Sequence, residues 1–341
     1  MIEGHGNDIH RFPGLVRADF SSNVASREVP APLLEFLSSQ LHTVANYPEP
    51  DSETLRKSIA ARHGLSSGNI VVTNGSTEAF YTIACAFRQS LSMVFIPSFA
   101  EYEDACHMHD HALFLVDNAH FEDDFEMIPG MVWLGNPNNP DGRLLSSEAI
   151  REKLIRYPKT VFVVDEAYGE LCRGFESVVP LLKTFHNLIV VHSMTKLYSI
   201  PGLRLGYILT GDSLAVKLKE YRMPWSVNAL AQQVGLFLTQ HEEDIKLNAQ
   251  ELVRGALTMQ QNLSLLPGLE VIPSPCTFFL FRLLSGKATR LKDLLLKNHG
   301  LLVRDASNFR GLDDRYLRIA AQSEPENELL IEALKKYLTQ L

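Results

Sequence analysis

A chain of 341 residues with 45% hydrophobic and 21% charged residues has the composition of a globular protein, and the length suits one large and one small domain rather than a single core. A formal charge of −8 without any clustered Lys/Arg run argues against a nucleic-acid partner. No apolar stretch is long enough to span a membrane, the start Met1-Ile2-Glu3-Gly4-His5-Gly6 lacks the regions of a signal peptide, and four cysteines without paired spacing fit reduced thiols, so a cytoplasmic protein is expected.

In chain order, residues 1–30 are irregular and spread His5, His10, Asp19 and Asn23 among Gly and Pro, as a segment laid on another surface would. Residues 32–41 read as a short helix with Leu33, Leu34, Leu37 and Leu41 on one face. Tyr47-Pro48-Glu49-Pro50-Asp51 is a rigid extended loop, because each proline disfavours helix in the residue before it. Residues 52–63 follow as a helix with Asp51 as N-cap and Gly64 as its end.

From residue 69 the pattern is strand, turn, helix, repeated. Apolar runs at 70–73, 93–96, 131–134, 161–164 and 188–191 lead into Asn74-Gly75-Ser76-Thr77, Pro97-Ser98-Phe99, Gly135-Asn136-Pro137-Asn138-Asn139-Pro140, Asp165 and a lysine turn. Continuous apolar strands are what a mostly parallel, doubly wound sheet covered on both faces requires. The polar residues gather just after the strands, at the edge where open α/β sheets bind ligands. Pro224-Trp225-Ser226-Val227-Asn228 breaks the pattern, and a long helical region runs to about residue 266. Residues 278–281 and 301–303 read as strands of a smaller α+β unit, closed by a helix that Ser323 and Glu326 start as a capping box. The expected division is an N-terminal segment 1–30 packing with the small domain, a large domain 31–223, and an interdomain helix with a small domain over 224–341.

The chemistry centres on His192-Ser193-Met194-Thr195-Lys196, which ends a buried run, and on Arg204 after Pro201-Gly202. An ammonium at the end of a buried strand is costly without a partner, yet it is the group that forms an imine with an aldehyde. Two hydroxyls and an arginine beside it could hold a dianionic phosphate. This set suggests a pyridoxal-phosphate (PLP) site, which also needs an acid for the pyridine nitrogen, donors for the phenolate oxygen and a phosphate cradle. Asp165 at the end of a Val/Phe strand is the acid, with Tyr168 and Asn139 as donors. Gly75-Ser76-Thr77 at a helix start, with Ser193, Thr195 and Arg204, is the cradle, and Phe99 offers a face for the ring. Taken singly each has a blander reading: a helix cap, a turn, a metal ligand, a core aromatic. His107 and His111, in a His-rich tract at i,i+4 on an expected surface helix, lack a strong ligand set, and no metal is expected.

With these residues in place, the chain resembles the fold-type I PLP enzymes of aminotransferase class I/II over nearly its whole length. The Asn-Pro-Asn-Asn-Pro loop, Asp165-Glu166-Ala167-Tyr168, the lysine motif through Gly206-Tyr207 and Arg318 carry the resemblance. It implies the aspartate aminotransferase-like fold, a covalent cofactor link on Lys196, Asp165 on the pyridine nitrogen, and Tyr47 reaching the cofactor phosphate of a neighbouring subunit in a homodimer. It further implies Arg318, with Asn23 nearby, on the substrate carboxylate, and Arg304 on a substrate phosphate. Within the class the chain looks like the branch that holds histidinol-phosphate aminotransferase and threonine-phosphate decarboxylase, an enzyme of cobalamin synthesis. His5-Gly6-Asn7, Asp19-Phe20-Ser21-Ser22-Asn23 and Asn308-Phe309-Arg310-Gly311-Leu312 lean toward the decarboxylase, and His5 is a substrate candidate on that ground. Gln322 departs from the pattern, standing where a second arginine or a glycine is expected. The implied function is decarboxylation of a phosphorylated amino acid, with transamination as alternative and a non-catalytic PLP-binding regulator as a third reading. No basic helix-turn-helix segment precedes residue 30, which counts against the regulator.

Overall fold

The computed structural model describes residues 6–26, 28–123, 130–241, 245 and 248–338. Its centre is a seven-stranded sheet flanked on both faces by helices, and a four-stranded antiparallel sheet lies in the C-terminal third. In chain order the strands are β1 (Ala18–Asp19), β2 (Ile70–Thr73), β3 (Leu91–Ile96), β4 (Ala112–Asp117), β5 (Met131–Gly135), β6 (Val161–Asp165), β7 (Leu188–Ser193) and β8 (Gly206–Thr210). The C-terminal ones are β9 (Leu269–Ile272), β10 (Phe278–Leu283), β11 (Leu301–Leu302), β12 (Arg304–Asp305) and β13 (Tyr316–Ala320).

The large sheet has the order β2-β8-β7-β6-β5-β3-β4, with β8 antiparallel to both neighbours and the other neighbouring pairs parallel. The apolar runs become its inner strands because both of their faces are covered. One face packs under the helices Glu53–His63 and Ala229–Gln240, the other under Gly75–Ala86 and Glu101–Met108. Trp133, Phe80 and Phe162 are fully buried there, each burial being worth about 1.5–3 kcal/mol.

The second sheet runs β12-β13-β10-β9 and shares a core with the helices Ala249–Ser264, Ala288–His299 and Glu324–Leu338. β1 pairs in parallel with β11, and Ala18 and Phe20 enter the same core. Asp8 adds an ion pair to Lys292 at 3.1 Å. Among the described residues no helix is long and apolar enough to cross a membrane.

Several local expectations are corrected. The first helix is Ala31–Ser39, and only Leu33 of its leucines is buried, while Leu34 and Leu41 are exposed. The next helix begins after Ser52, which takes the cap position in a left-handed conformation without a side-chain cap, because Asp51 is drawn into an ion pair with Arg56 at 2.6 Å. Gly64 closes that helix with φ +61°. Among the described residues the helical region after Asn228 includes the separate helices Ala229–Gln240 and Ala249–Ser264. At the last helix Glu326 accepts from both the N–H and the hydroxyl of Ser323, so one half of the box forms. His111 is not on a surface helix: the helix stops at Met108, and the buried imidazole bonds Ser92 Oγ at 2.8 Å and Ala84 O at 2.9 Å.

Candidate active site

The carboxyl ends of the parallel strands bring the predicted residues together. Thr77, Phe99, Asn139, Tyr168 and Lys196 line one cleft of about 290 Å³, and Asn23, Arg304 and Arg318 line it from the N-terminal segment and the small sheet. The Lys196 ammonium lies 5.7 Å from the centroid of the Tyr168 ring, and among the described residues it makes no ion pair.

Asp165 ends β6 fully buried. Its Oδ2 accepts from the Tyr102 hydroxyl at 2.6 Å and its Oδ1 from the Ala167 N–H at 3.0 Å. Burial pushes its carboxyl above the ordinary carboxylate range, while those two bonds and the nearby Lys196 charge pull it down. Tyr102 sits edge-on to Phe80 at 4.9 Å and to Phe99 at 5.9 Å. Burial first, then the charge of Asp165, raise its phenol well above the usual value, so it is a permanent neutral donor.

Behind this pair, Glu166 accepts from Ser177 Oγ at 2.6 Å and the Val178 N–H at 2.7 Å, and bonds His192 Nε2 at 2.8 Å. His192 Nδ1 meets the Tyr207 hydroxyl at 3.1 Å, as does His63 Nε2. This partly buried network ties the residue after Asp165 to the residue before Ser193, bracing the ends of β6 and β7. Sequence reasoning missed Tyr102, Glu166 and His192 as site residues. The one available signal was that Glu166 and His192 each adjoin a predicted site residue.

At the start of the helix Gly75–Ala86, Arg204 adopts a left-handed conformation (φ +61°) and donates to Pro201 O at 3.0 Å. A Cβ on Gly75, whose own φ is +81°, would lie 2.4 Å from Arg204 Nη2, and one on Gly206 2.6 Å from Ser76 N. Only glycines allow this approach. A guanidinium held against a helix N-terminus sets two positive ends together, an arrangement an anion would relieve. Ser193 Oγ and Thr195 Oγ1 stand 2.8 Å apart beside it.

Arg318 is buried and donates to Asn139 Oδ1 and to Ser21 O, the latter at 2.6 Å. Arg304 donates to Asp305 O and Asn308 Oδ1, both at 2.7 Å. Burial, joined at Arg304 by repulsion from Arg318, lowers each guanidinium to about 10. Both stay charged at neutral pH. Among the described residues no carboxylate bonds Arg318, its Nε has no partner, and neither polar atom of the buried Asn23 amide has one. Buried polar groups left in this state cost about 1–3 kcal/mol each, so the cleft is built for a ligand with several acceptors and at least one anion.

Not every candidate joins this cluster. Tyr47 is 88% exposed and packs on Trp225 at 5.8 Å, outside the cleft. His5 lies outside the described residues. Gln322 turns back on its own backbone, donating to Ala320 O at 3.1 Å. An unpredicted clasp is present instead: Arg310 makes three bonds of 2.8–3.2 Å to the buried Glu103 carboxylate beside the cleft.

The profile of the family described as aminotransferase class I and II matches residues 19–334. A solved structure, L-threonine-O-3-phosphate decarboxylase from Porphyromonas gingivalis, superposes with a TM-score of 0.90 at 41% identity, covering 94% of this chain and 99% of that one. The threonine-phosphate decarboxylase of Salmonella typhimurium is 30% identical over 94% of this chain and 91% of its own length. The histidinol-phosphate aminotransferase of Caldanaerobacter subterraneus subsp. tengcongensis is 31% identical over 86% of this chain and 84% of its own.

Proposed function

The chain belongs to the aminotransferase class I and II family, and from that premise we propose that it is a pyridoxal-phosphate-dependent decarboxylase of a compact phosphorylated amino acid, threonine phosphate being the best fit. The cofactor supplies an aldehyde that condenses with amines and a protonated ring that withdraws electrons from the bond to be broken. The anion cradle at Gly75 and Arg204 and the buried Asp165 carboxyl fit such a group, and the orphaned polar atoms of Arg318 and Asn23 are left for the substrate.

In this reading the unit 31–223 holds the cofactor, and 224–341, with the segment 1–30 packed on it, carries the substrate arginines. Lys196 attaches the cofactor and returns a proton to the amine-bearing carbon. Asp165, oriented by Tyr102, keeps the ring nitrogen protonated, and Tyr168 and Asn139 hold the phenolate oxygen. Gly75, Ser76, Thr77, Ser193, Thr195 and Arg204 bind the cofactor phosphate, and Phe99 faces the ring. Arg318, with Asn23, takes the substrate carboxylate and Arg304 the substrate phosphate. Tyr47 serves the cofactor phosphate of a second subunit in a cytoplasmic homodimer. Its exposure, with Met223 at 71% and Trp225 at 50%, supports an interface there, and a monomer in sedimentation would rule it out. By the resemblance, the amine released would feed cobalamin synthesis.

One observation carries the substrate class: two buried arginines, Arg304 and Arg318, share one cleft with Lys196. Threonine phosphate presents two anions, a carboxylate and a phosphate, whereas histidinol phosphate presents one. The similarity to a histidinol-phosphate aminotransferase keeps transamination as the second reading. A single-turnover assay with each substrate, scoring carbon dioxide and pyridoxamine phosphate together, separates them. Threonine phosphate is expected to give carbon dioxide and an amine. A keto acid with pyridoxamine phosphate would overturn the decarboxylase.

Arg318→Ala is expected to lower kcat/KM for threonine phosphate by about 2–5 kcal/mol, roughly 30-fold to several thousandfold, since it removes one partner of a buried charged contact. Cofactor affinity should change far less. Equal loss of both in equilibrium dialysis and kinetics would remove Arg318 from the substrate site.

A further inference from the structure

The spacing of the four cysteines suggests no pairing, yet the fold brings two of them face to face. Cys172 follows the Asp165–Tyr168 loop, Cys276 leads into β10, and the two are opposed in an isolated antiparallel bridge. The flanking bonds run from Arg173 N–H to Pro275 O at 2.9 Å and from Thr277 N–H to Leu171 O at 3.0 Å. That pattern makes Cys172 and Cys276 a non-hydrogen-bonded pair, in which Cα atoms stand about 4.5 Å apart with their side chains on one face. A disulfide spans Cα separations of about 4.4–6.8 Å, so closure needs no movement of either strand.

The surroundings leave both thiols available to each other. Cys172 contacts Arg173 O and Cys276 contacts Gly142 O, both at 3.7 Å, and the Cys276 thiol also meets the Cys172 and Ser274 side chains. Cys276 is buried, whereas Cys172 is partly exposed and lines a cleft of about 530 Å³ together with Arg173 and Arg254. Burial, and then the neighbouring Cys172, push the Cys276 thiol well up. A small oxidant can therefore reach Cys172 and not Cys276, and the order of events is fixed by access.

We propose that Cys172 and Cys276 are a reversible dithiol–disulfide site, oxidised by a small-molecule disulfide that enters the cleft beside Arg173. The Cys172 thiolate attacks one sulfur of the reagent, forming a mixed disulfide and releasing one thiol. Cys276 then gives up its proton to solvent and attacks the Cys172 sulfur, releasing the second thiol. The two protein thiols lose two electrons, and the reagent's disulfide gains them. The raised Cys276 thiol makes this second step the slow one, and it accelerates as pH rises. The bond would staple the chain leaving Tyr168 to the strand whose Phe278 ring packs against Tyr168 at 4.9 Å.

The test is exposure of the holoenzyme to glutathione disulfide at mildly alkaline pH, followed by thiol counting and peptide mapping without reductant. Free thiols should fall from four to two, with one cross-linked peptide pair containing Cys172 and Cys276, and dithiothreitol should restore all four. Cys276→Ser should stop at a stable glutathione adduct on Cys172, and Cys172→Ser should leave Cys276 unmodified. A wild-type protein that keeps four thiols, stops at the adduct, or pairs other cysteines overturns the proposal. None of these readouts depends on which substrate the enzyme takes.

Discussion

Lys196→Ala is expected to abolish both the absorbance of the lysine-linked cofactor and turnover. Removing a positioned proton carrier alone costs about 10²–10⁴-fold in rate, and here the residue that attaches the cofactor goes with it. A fall of at least about 10⁴-fold is therefore the expectation. The ammonium makes no ion pair among the described residues, so the substitution removes little that stabilises the fold. The cradle around Arg204 and Ser76 is untouched, so equilibrium dialysis should still detect cofactor binding. Borohydride treatment followed by peptide mapping checks the assignment directly: wild type should carry the reduced cofactor on the Lys196 peptide, and the variant should carry none. A borohydride-fixed adduct elsewhere in the variant would sink it.

How far the sequence led is clearest at individual positions. Asp165 and Lys196 stand out in the sequence because a charged residue at or just past the end of an apolar strand has no cheap structural purpose. The inner strands were legible for the same reason that they are buried on both faces: β5 and most of β6 and β7 are unbroken apolar runs. The edge strand β4 escaped that reading although Ala112 to Val116 is also an apolar run, and as an edge strand it leaves Phe114 and Leu115 43% and 41% exposed. The antiparallel strand β8 is an apolar segment too, but its direction is set by which neighbours it finds.

The contacts that complete the site join residues distant in sequence. Tyr102 reaches Asp165 across 63 positions and Arg318 reaches the Ser21 carbonyl across 297, and no local pattern encodes either. A tyrosine in a helix reads as core, which Tyr102 also is. The Cys172–Cys276 pair is the same case: spacing separates what the pairing of two strand ends places together.

Asp165→Ala is the sharper test of the site's electrostatics, because it should separate turnover from stability. Loss of the group proposed to keep the ring protonated is expected to lower kcat by about 10²–10³-fold, the scale for removing one preorganised electrostatic partner. The fold should lose only what leaving the Tyr102 hydroxyl and the Ala167 N–H unpaired costs, about 1–3 kcal/mol each. Burial raises the Asp165 carboxyl in the folded chain, so between the unfolded value and that raised value the folded state holds more protons than the unfolded one. Stability of the cofactor-free protein therefore falls as pH rises through that window, and above it the cost of a buried carboxylate remains. Alanine removes the cost, so the cofactor-free variant should lose less stability than wild type as pH rises from about 4. Denaturant titrations across that range measure it. Tyr102→Phe provides the graded companion. It deletes a donor to the carboxylate, leaves burial unopposed by that bond and moves the Asp165 carboxyl further up, so the folded chain loses more stability with rising pH. A bond to a charged group is worth about 1.5–3 kcal/mol, which predicts a fall in kcat of roughly ten- to hundredfold, smaller than for Asp165→Ala. If Asp165→Ala kept kcat within about tenfold of wild type, the carboxylate would not be holding the ring proton, and Tyr102 would be a packing residue alone.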